Sequence, residues 1–440
     1  MELTKIKELL REMGVVGAGG AGFPSYAKLS PDAKTVILNC AECEPLLKVH
    51  RQLLEEYTYE ILSALSDIVK TTGATEGIIA VKAHYKSTVR AIGAEIGDFP
   101  LLSVHTLDSV YPAGDEIILI KEVTGKTVAP GALPITEGIV VCNVESVYNV
   151  YRALKGQPVT HKYVTVAGEV KNPITLRVPL GTKIAQLISA AGGEAVENPE
   201  ILSGGPMMGR LITPSDVVTK TTNAIILLPA DHTVVQGKKL NYKINLRRTM
   251  SVCCQCRSCT ELCSRHVIGY PVEPHAVMRI FSNGGKGDVK VLEGAMFCSS
   301  CGLCETYSCP QGLSPRAVIA QMKADARAAG KKPPVGIKPF EVKDADLKKV
   351  SVERLTARLG LTKYDLPAPI SEDFTTKSVK IPLCEHIGAP AILAVSEGDT
   401  VKAGDVIAVA KEGALSVNMH ASIDGRVTTA NEKFVRIAKQ

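Results

Sequence analysis

The chain has 440 residues, 45% of them hydrophobic, which is enough for several cores, and three or four domains are expected at this length. A net charge of +6 without a dense basic tract, 4% aromatics and no Trp give neither an electrostatic footprint nor a stacking platform for nucleic acid. Thirteen cysteines argue for a reducing, cytoplasmic setting; no signal peptide is recognisable, and no apolar run is long enough to span a bilayer directly.

The amphipathic stretch Leu3 to Met13 predicts an opening helix that packs on the domain behind it, with an encapsulation signal for a protein shell as the other reading. It leads into the loop Gly17-Ala-Gly-Gly-Ala-Gly-Phe-Pro24. A strand at Thr35 to Asn39, a helix near Leu53 to Thr71, a strand near Gly77 to Lys82 and a helix near Ser87 to Glu95 follow. That alternation is α/β, and it defines a first domain over 1–155. The loop satisfies G-x-G-x-x-G, yet a helix precedes it where the dinucleotide fingerprint needs a strand. What remains is backbone that a phosphate or a flat ring can approach closely.

A β-rich unit spans 160–215: strand Tyr163 to Val170, a turn at Lys171-Asn-Pro173, a short helix Ile184 to Ala191, and the cluster Ser203-Gly-Gly-Pro-Met-Met-Gly209. Met207 and Met208 read as packing residues of that turn. A cysteine-rich, helical part covers 246–328, and a Lys/Pro-rich stretch makes 329–380 a connector. The last unit, 381–440, has short strands broken by Glu397-Gly-Asp, Ala403-Gly-Asp and Asp424-Gly. It echoes biotinyl and lipoyl carriers, but Lys411 stands out of position for a modified lysine. The scattered histidines form no ligand pair or triad, and no D-x-H-x-x-G cobalamin loop exists.

Eight cysteines form two runs, Cys253-x2-Cys256-x2-Cys259-x3-Cys263 and Cys298-x2-Cys301-x2-Cys304-x4-Cys309-Pro310. Three thiolates at two-residue gaps wrap one face of an iron–sulfur cube, and the fourth of each run crosses to the other cluster. On that rule Cys253, Cys256, Cys259 and Cys309 hold one [4Fe–4S] cluster, and Cys298, Cys301, Cys304 and Cys263 hold the second. C-x2-C pairs also suit tetrahedral zinc, but the tripled spacing is the iron–sulfur pattern. Ser264-Arg265-His266 replaces the usual Pro after Cys263, and the second run has one extra residue before Cys309. Both changes fall where hydrogen bonding to sulfur tunes potential.

Gly17 to Pro24, Asn39-Cys-Ala-Glu-Cys-Glu-Pro45, Tyr111-Pro-Ala-Gly-Asp-Glu116 and Asn143-Val-Glu-Ser146, in that order, resemble the flavin- and NADH-binding subunit of respiratory complex I. The resemblance implies FMN contacts from Gly17, Gly19, Gly20, Lys28, Asn39 and Asn143. It implies a catalytic, nicotinamide-side role for Glu42 and Glu44, with Tyr111, Asp115 and Glu116 lining the same pocket. Ala41, Cys142 and Ile117 depart from the family's Asp, Asn and Thr. Cys40 and Cys43 also form a C-x2-C pair, which the flavin-loop match already accounts for.

With Ser203 to Gly209 and both cysteine runs added, almost the whole chain resembles the Rnf C subunit and, equally, the cobalamin reductase of propanediol-utilisation microcompartments. The architecture implied is multidomain α/β: a complex I flavoprotein-like FMN/NADH domain, an SLBB-type β-grasp domain, a helical ferredoxin-like two-cluster domain and a barrel-sandwich unit. Placing that last unit at the C-terminus resembles the cobalamin reductases. The function implied is an NADH-dependent reductase with FMN and two [4Fe–4S] clusters, splitting hydride into single electrons for cobalamin. A corrinoid adenosyltransferase and microcompartment shell proteins are the partners implied, inside a microcompartment. The alternative is an Rnf-like subunit passing electrons to ferredoxin or a membrane partner.

Overall fold

Apolar runs in the first third of the chain fold around a parallel sheet in the computed structural model, which describes residues 2–439. β1 (Thr35–Cys40), β2 (Glu76–Lys82) and β3 (Leu102–Leu107) run side by side. The two-residue β4 (Val110–Tyr111) follows, and β5 (Ile139–Asn143) returns to the far side of β1, giving the order β3-β2-β1-β5. Val36 and Leu38 face one core with Leu53, Ile61 and Val147; Ile37, Ile139 and Val141 face a second with Leu119 and Ile120. Covering both faces is what a parallel sheet requires. The helix expected near 53–71 is two, Val49–Glu56 and Thr58–Thr72, broken at Tyr57. The opening helix, Leu3–Glu12, buries Ile6 and Leu10 in the first core, as the packing reading expects.

The chain steps outward from β1 to β3 and then jumps back to β5. The carboxyl ends of β1 and β5 therefore flank the switch point where open α/β sheets hold ligands. Asn39 and Asn143, which close those strands, are register partners there.

The β-grasp unit contains β6 (His161–Gly168), β7 (Ile174–Pro179), β8 (Glu200–Ser203), β9 (Arg210–Ile212) and β10 (Ala224–Leu228). β10, buried at every residue, lies in mid-sheet between β6 and β8, so the unit reaches beyond 215 to Leu228. Ile225 and Leu227 face its own core, whereas Ile226 and Leu228 face a second one shared with Leu303 and Leu355.

The 329–380 segment is more than a connector. Its β11 (Val350–Ser351) pairs antiparallel with β4, helix Val352–Arg358 buries Leu355, and β12 (Ile370–Ser371) extends the β-grasp sheet beside β7. It laces the flavin-type domain, the β-grasp unit and the cysteine-rich part together.

β13 (Ser378–Pro382), β14 (Ile392–Leu393), β15 (Thr400–Val401), β16 (Val406–Val409), β17 (Met419–His420), β18 (Gly425–Ala430) and β19 (Phe434–Ala438) complete the chain. They form a four-stranded and a three-stranded sheet around Ile381, Ile407, Met419 and Val435. Among the described residues no helix is long and apolar enough to cross a membrane.

Candidate functional site: a flavin crevice and two cysteine cages

The glycine loop sits over the switch point. Gly17 N–H donates to Phe23 O at 2.8 Å, closing the loop, and Ala18 N–H donates to Ser146 Oγ at 2.8 Å. A Cβ on Gly19 would lie 2.9 Å from Asn143 Nδ2, so only glycine allows that approach. Gly20 has φ +80° and open space beside it. Asn143 caps helix Val144–Leu154, its Oδ1 accepting from the Glu145 and Ser146 N–H groups, while its Nδ2 lies 2.9 Å from His50 Nε2. Burial holds His50 below the usual imidazole range; in its neutral form that ring nitrogen accepts from Asn143.

Glu42 is a non-glycine residue at φ +22°, and Lys82 Nζ and Tyr85 OH pin its carbonyl at 3.1 and 3.2 Å. One carboxylate oxygen accepts from His50 N–H at 3.0 Å; the other is buried with no partner. Strain plus an unpaired buried oxygen is the signature of a ligand site. Nearby, Asn39 Nδ2 donates to Gly114 O at 2.9 Å, and Lys28 Nζ donates to Glu116 Oε1 at 3.0 Å and Val141 O at 3.2 Å. A side-chain-free cradle, amide donors and an unpaired carboxylate oxygen at a switch point fit a flavin mononucleotide.

Three expected pocket residues have other partners. Glu44 spends both carboxylate oxygens on the N–H groups of Met207 and Met208, at 2.9 and 2.8 Å, so it clamps the β-grasp turn rather than facing the crevice freely. Burial pushes its pKa up despite those bonds. Tyr111 OH donates to Cys301 O at 2.7 Å. Asp115 caps helix Glu116–Thr124 and pairs with both Arg265 nitrogens at 2.7 and 2.9 Å.

The cysteines gather in two sets. Cys253, Cys256, Cys259 and Cys309 line one cavity; Cys263, Cys298, Cys301 and Cys304 line the other, with Arg265 and Arg316 in its wall. The fourth thiol of each run thus crosses to the other cage. Cys254 lines the first cavity beside these thiols, exposed. Gln255 and Arg257 in the first run, and Ser300 and Gly302 in the second, take positive φ at equivalent positions, one residue before and one after the middle Cys. That conformation turns amides toward sulfur: Ser300 N–H lies 3.3 Å from Cys298 Sγ, and Leu313 N–H lies 3.4 Å from Cys309 Sγ. Among the described residues no three His, Cys, Asp or Glu side chains converge as one metal ion requires; the thiols ring wider cavities. Four soft thiols around a wide cavity fit an iron–sulfur cube.

The second cage lies against the flavin-type domain and is enclosed, with Cys263, Cys301 and Cys304 buried. Tyr111 to Cys301, Asp115 to Arg265, and Glu44 through Met207 O to Arg316 Nη1 (2.7 Å) tie the two together. Cys256 in the first cage is exposed. Sequence reasoning missed His50, Ser146, Lys82 and Arg316, none of which lies in a recognisable motif. Arg265 alone carried a signal, standing in the stretch where the usual run has Pro.

Comparison with known proteins divides the chain in the same way. Residues 10–152 match the Nuo51 FMN-binding domain and 163–211 the SLBB domain. Residues 252–314 match a 4Fe-4S dicluster domain and 363–440 the RnfC barrel sandwich hybrid domain. The cobalamin reductase PduS of Salmonella typhimurium is 39% identical, covering 100% of this chain and 97% of its own. That of Citrobacter freundii is 40% identical over 99% and 96%. The RnfC-type component of the Na(+)-translocating ferredoxin:NAD(+) oxidoreductase complex of Acetobacterium woodii is 33% identical over 61% and 59%. An NAD+-reducing [NiFe]-hydrogenase shares the fold, with TM-score 0.52 and 20% identity over 81% of this chain and 67% of its own.

Proposed function

The chain belongs to the family of the cobalamin reductase PduS, and from that premise we propose that it is an NADH-dependent reductase delivering single electrons to cobalamin. The observation that carries the reading is the line of sites: a flavin crevice, an enclosed thiol cage bonded to its walls, and a second cage at the surface. Gly17, Gly19, Gly20, Lys28, Asn39 and Asn143 would hold FMN. Glu42, with its unpaired oxygen, would orient the nicotinamide; Glu116 lines the same wall through Lys28. Glu44, Tyr111 and Asp115 position the crevice against the enclosed cage. Cys263, Cys298, Cys301 and Cys304 would hold the proximal cluster, and Cys253, Cys256, Cys259 and Cys309 the distal one. When bound, FMN takes up two electrons as hydride and returns them singly, which the clusters require. The residues orient, exclude water and tune potential; no nucleophile is needed.

We assign a corrinoid adenosyltransferase as the partner that consumes the reduced corrinoid, and the interior of a microcompartment, among shell proteins, as the setting. The Rnf-like alternative rests on a match to 61% of the chain and is the weaker reading. Cluster-reconstituted protein with FMN, NADH and hydroxocobalamin, followed anaerobically by the corrinoid's visible spectrum, tests the assignment. Catalytic corrinoid reduction is expected; flavin and cluster bleaching without corrinoid change would overturn it.

A further inference from the structure

Helix Tyr242–Val252 is packed inside out. The residues it buries are Asn245 and Thr249. Asn245 is committed to Ser314, donating to its carbonyl at 3.2 Å and accepting from its N–H at 3.0 Å. The apolar side chains Ile244, Met250 and Val252 are instead 53%, 57% and 42% exposed. Lys243, Arg247 and Arg248 are exposed on the same helix, and none of the three has an ion-pair partner among the described residues. The helix runs directly into Cys253, whose cavity is rimmed by exposed Cys254, Cys256, Arg257 and Pro310. Arg248 Nη2 donating to Gln311 O at 3.2 Å joins the helix to that rim.

A helix on a globular surface ordinarily turns its apolar stripe inward. Exposed apolar residues grouped beside a cofactor cage mark an interaction site. The face is convex and about 16 Å long at 1.5 Å per residue, whereas small molecules are held in concave sites. Met and Arg around an apolar centre are what protein interfaces enrich. Three unpaired cations call for a partner of opposite sign, which also steers encounter. Resting on the electron-delivery reading above, we propose that this face docks an acidic protein carrying its own one-electron acceptor, seated over the surface cage. NADH, oxidised to NAD+ with release of one proton, supplies two electrons. Each docking event passes one electron to one partner, so two partners are reduced per NADH and no covalent bond forms between the proteins.

The test uses holoprotein with FMN and both clusters, and three acceptors: acidic cytochrome b5, basic cytochrome c and hydroxocobalamin. In Lys243→Glu/Arg247→Glu, KM for cytochrome b5 should rise about tenfold with kcat little changed, as loss of steering predicts. Raising the salt should weaken wild type in the same direction. Met250→Asp should raise KM for cytochrome b5 as well, and Lys243→Arg/Arg247→Lys should restore it. Turnover with hydroxocobalamin should stay within about twofold across the series, because a small acceptor needs no docking face. Cytochrome b5 reduction indifferent to both charge reversal and salt would overturn the proposal. So would faster reduction of cytochrome b5 than of cytochrome c by the reversed variant, or equal losses toward all three acceptors. Failure of wild type to reduce hydroxocobalamin while cytochrome b5 reduction behaves as expected would instead sink the cobalamin reading alone.

Discussion

Arg265 brings a full positive charge into the wall of the enclosed thiol cage, and Asp115 partly neutralises it from the flavin side. A cation stabilises the reduced, more negative cluster, and an anion opposes it. The two partners should therefore shift the potential in opposite directions. Arg265→Gln is expected to lower the midpoint potential of the cluster held by Cys263, Cys298, Cys301 and Cys304, and Asp115→Asn to raise it. The other cluster serves as an internal control in an EPR-monitored titration; parallel shifts in both would show general damage. Glu42 and Glu44, two residues apart in one motif, should separate by phenotype. Glu44→Ala strands the Met207 and Met208 amides, a cost of about 1–3 kcal/mol, so their hydrogen exchange should accelerate roughly 10- to 100-fold. Glu42→Gln should leave that exchange unchanged and raise KM for NADH. The family motif places both carboxylates in the crevice. Only the packing of a turn more than 150 residues away tells them apart, and no local spacing carries that information.

At the scale of elements, legibility followed the length of the periodic signal. β1, β2 and the opening helix stand close to where the residue pattern puts them, because several residues in a row declare one face. Equally, the crossing of Cys263 and Cys309 between cages follows from spacing, since a short loop leaves the fourth thiol no other reach. β11 and β12 have two residues each, too few for any period, and only their partners β4 and β7 define them. β10 shows a third situation. Ala224–Leu228 is apolar throughout because it is buried on both faces, so nothing alternates and its place in mid-sheet is hidden. Its two faces serve different cores, which makes it a test of coupling between domains. Ile226→Ala, opening space toward Leu303 and Leu355, should cost about 2–5 kcal/mol and loosen the cysteine-rich part. Leu227→Ala, on the β-grasp side, should cost as much while leaving cluster retention intact. Cluster loss during gradual urea unfolding, followed by visible absorbance, distinguishes the two.

The molecule as a whole is closed by a polar junction where three domains meet. Lys220 of the β-grasp unit donates from Nζ to Gly14 O at 2.8 Å and from its backbone N–H to Glu385 Oε2 at 3.1 Å. Glu385 O in turn lies against Gly22 of the glycine loop, 2.9 Å from where a Cβ would stand. His386 and His420 are buried around this lysine with ring nitrogens unpartnered. Burial, reinforced by the Lys220 charge, holds His420 down at about 3 and His386 at about 4. The unfolded chain binds protons near pH 6.5 that the native junction refuses, so the stability present above pH 6.5 is lost as pH falls toward those values. Glu385, pushed up by its own burial, works the other way, but it is one carboxyl against two imidazoles. At pH 5 the His420 contribution alone is on the order of 2 kcal/mol. The urea midpoint should therefore drop between pH 7 and pH 5, and His420→Leu should flatten that drop. An equal drop in the variant would move the acid sensitivity to His161, which burial beside Arg177 and Arg152 also holds at about 3. Because the junction touches the loop at Gly22, flavin fluorescence released in step with the unfolding signal would show that it keeps the glycine loop in place. Flavin released at higher pH than the unfolding midpoint would show the loop opening first.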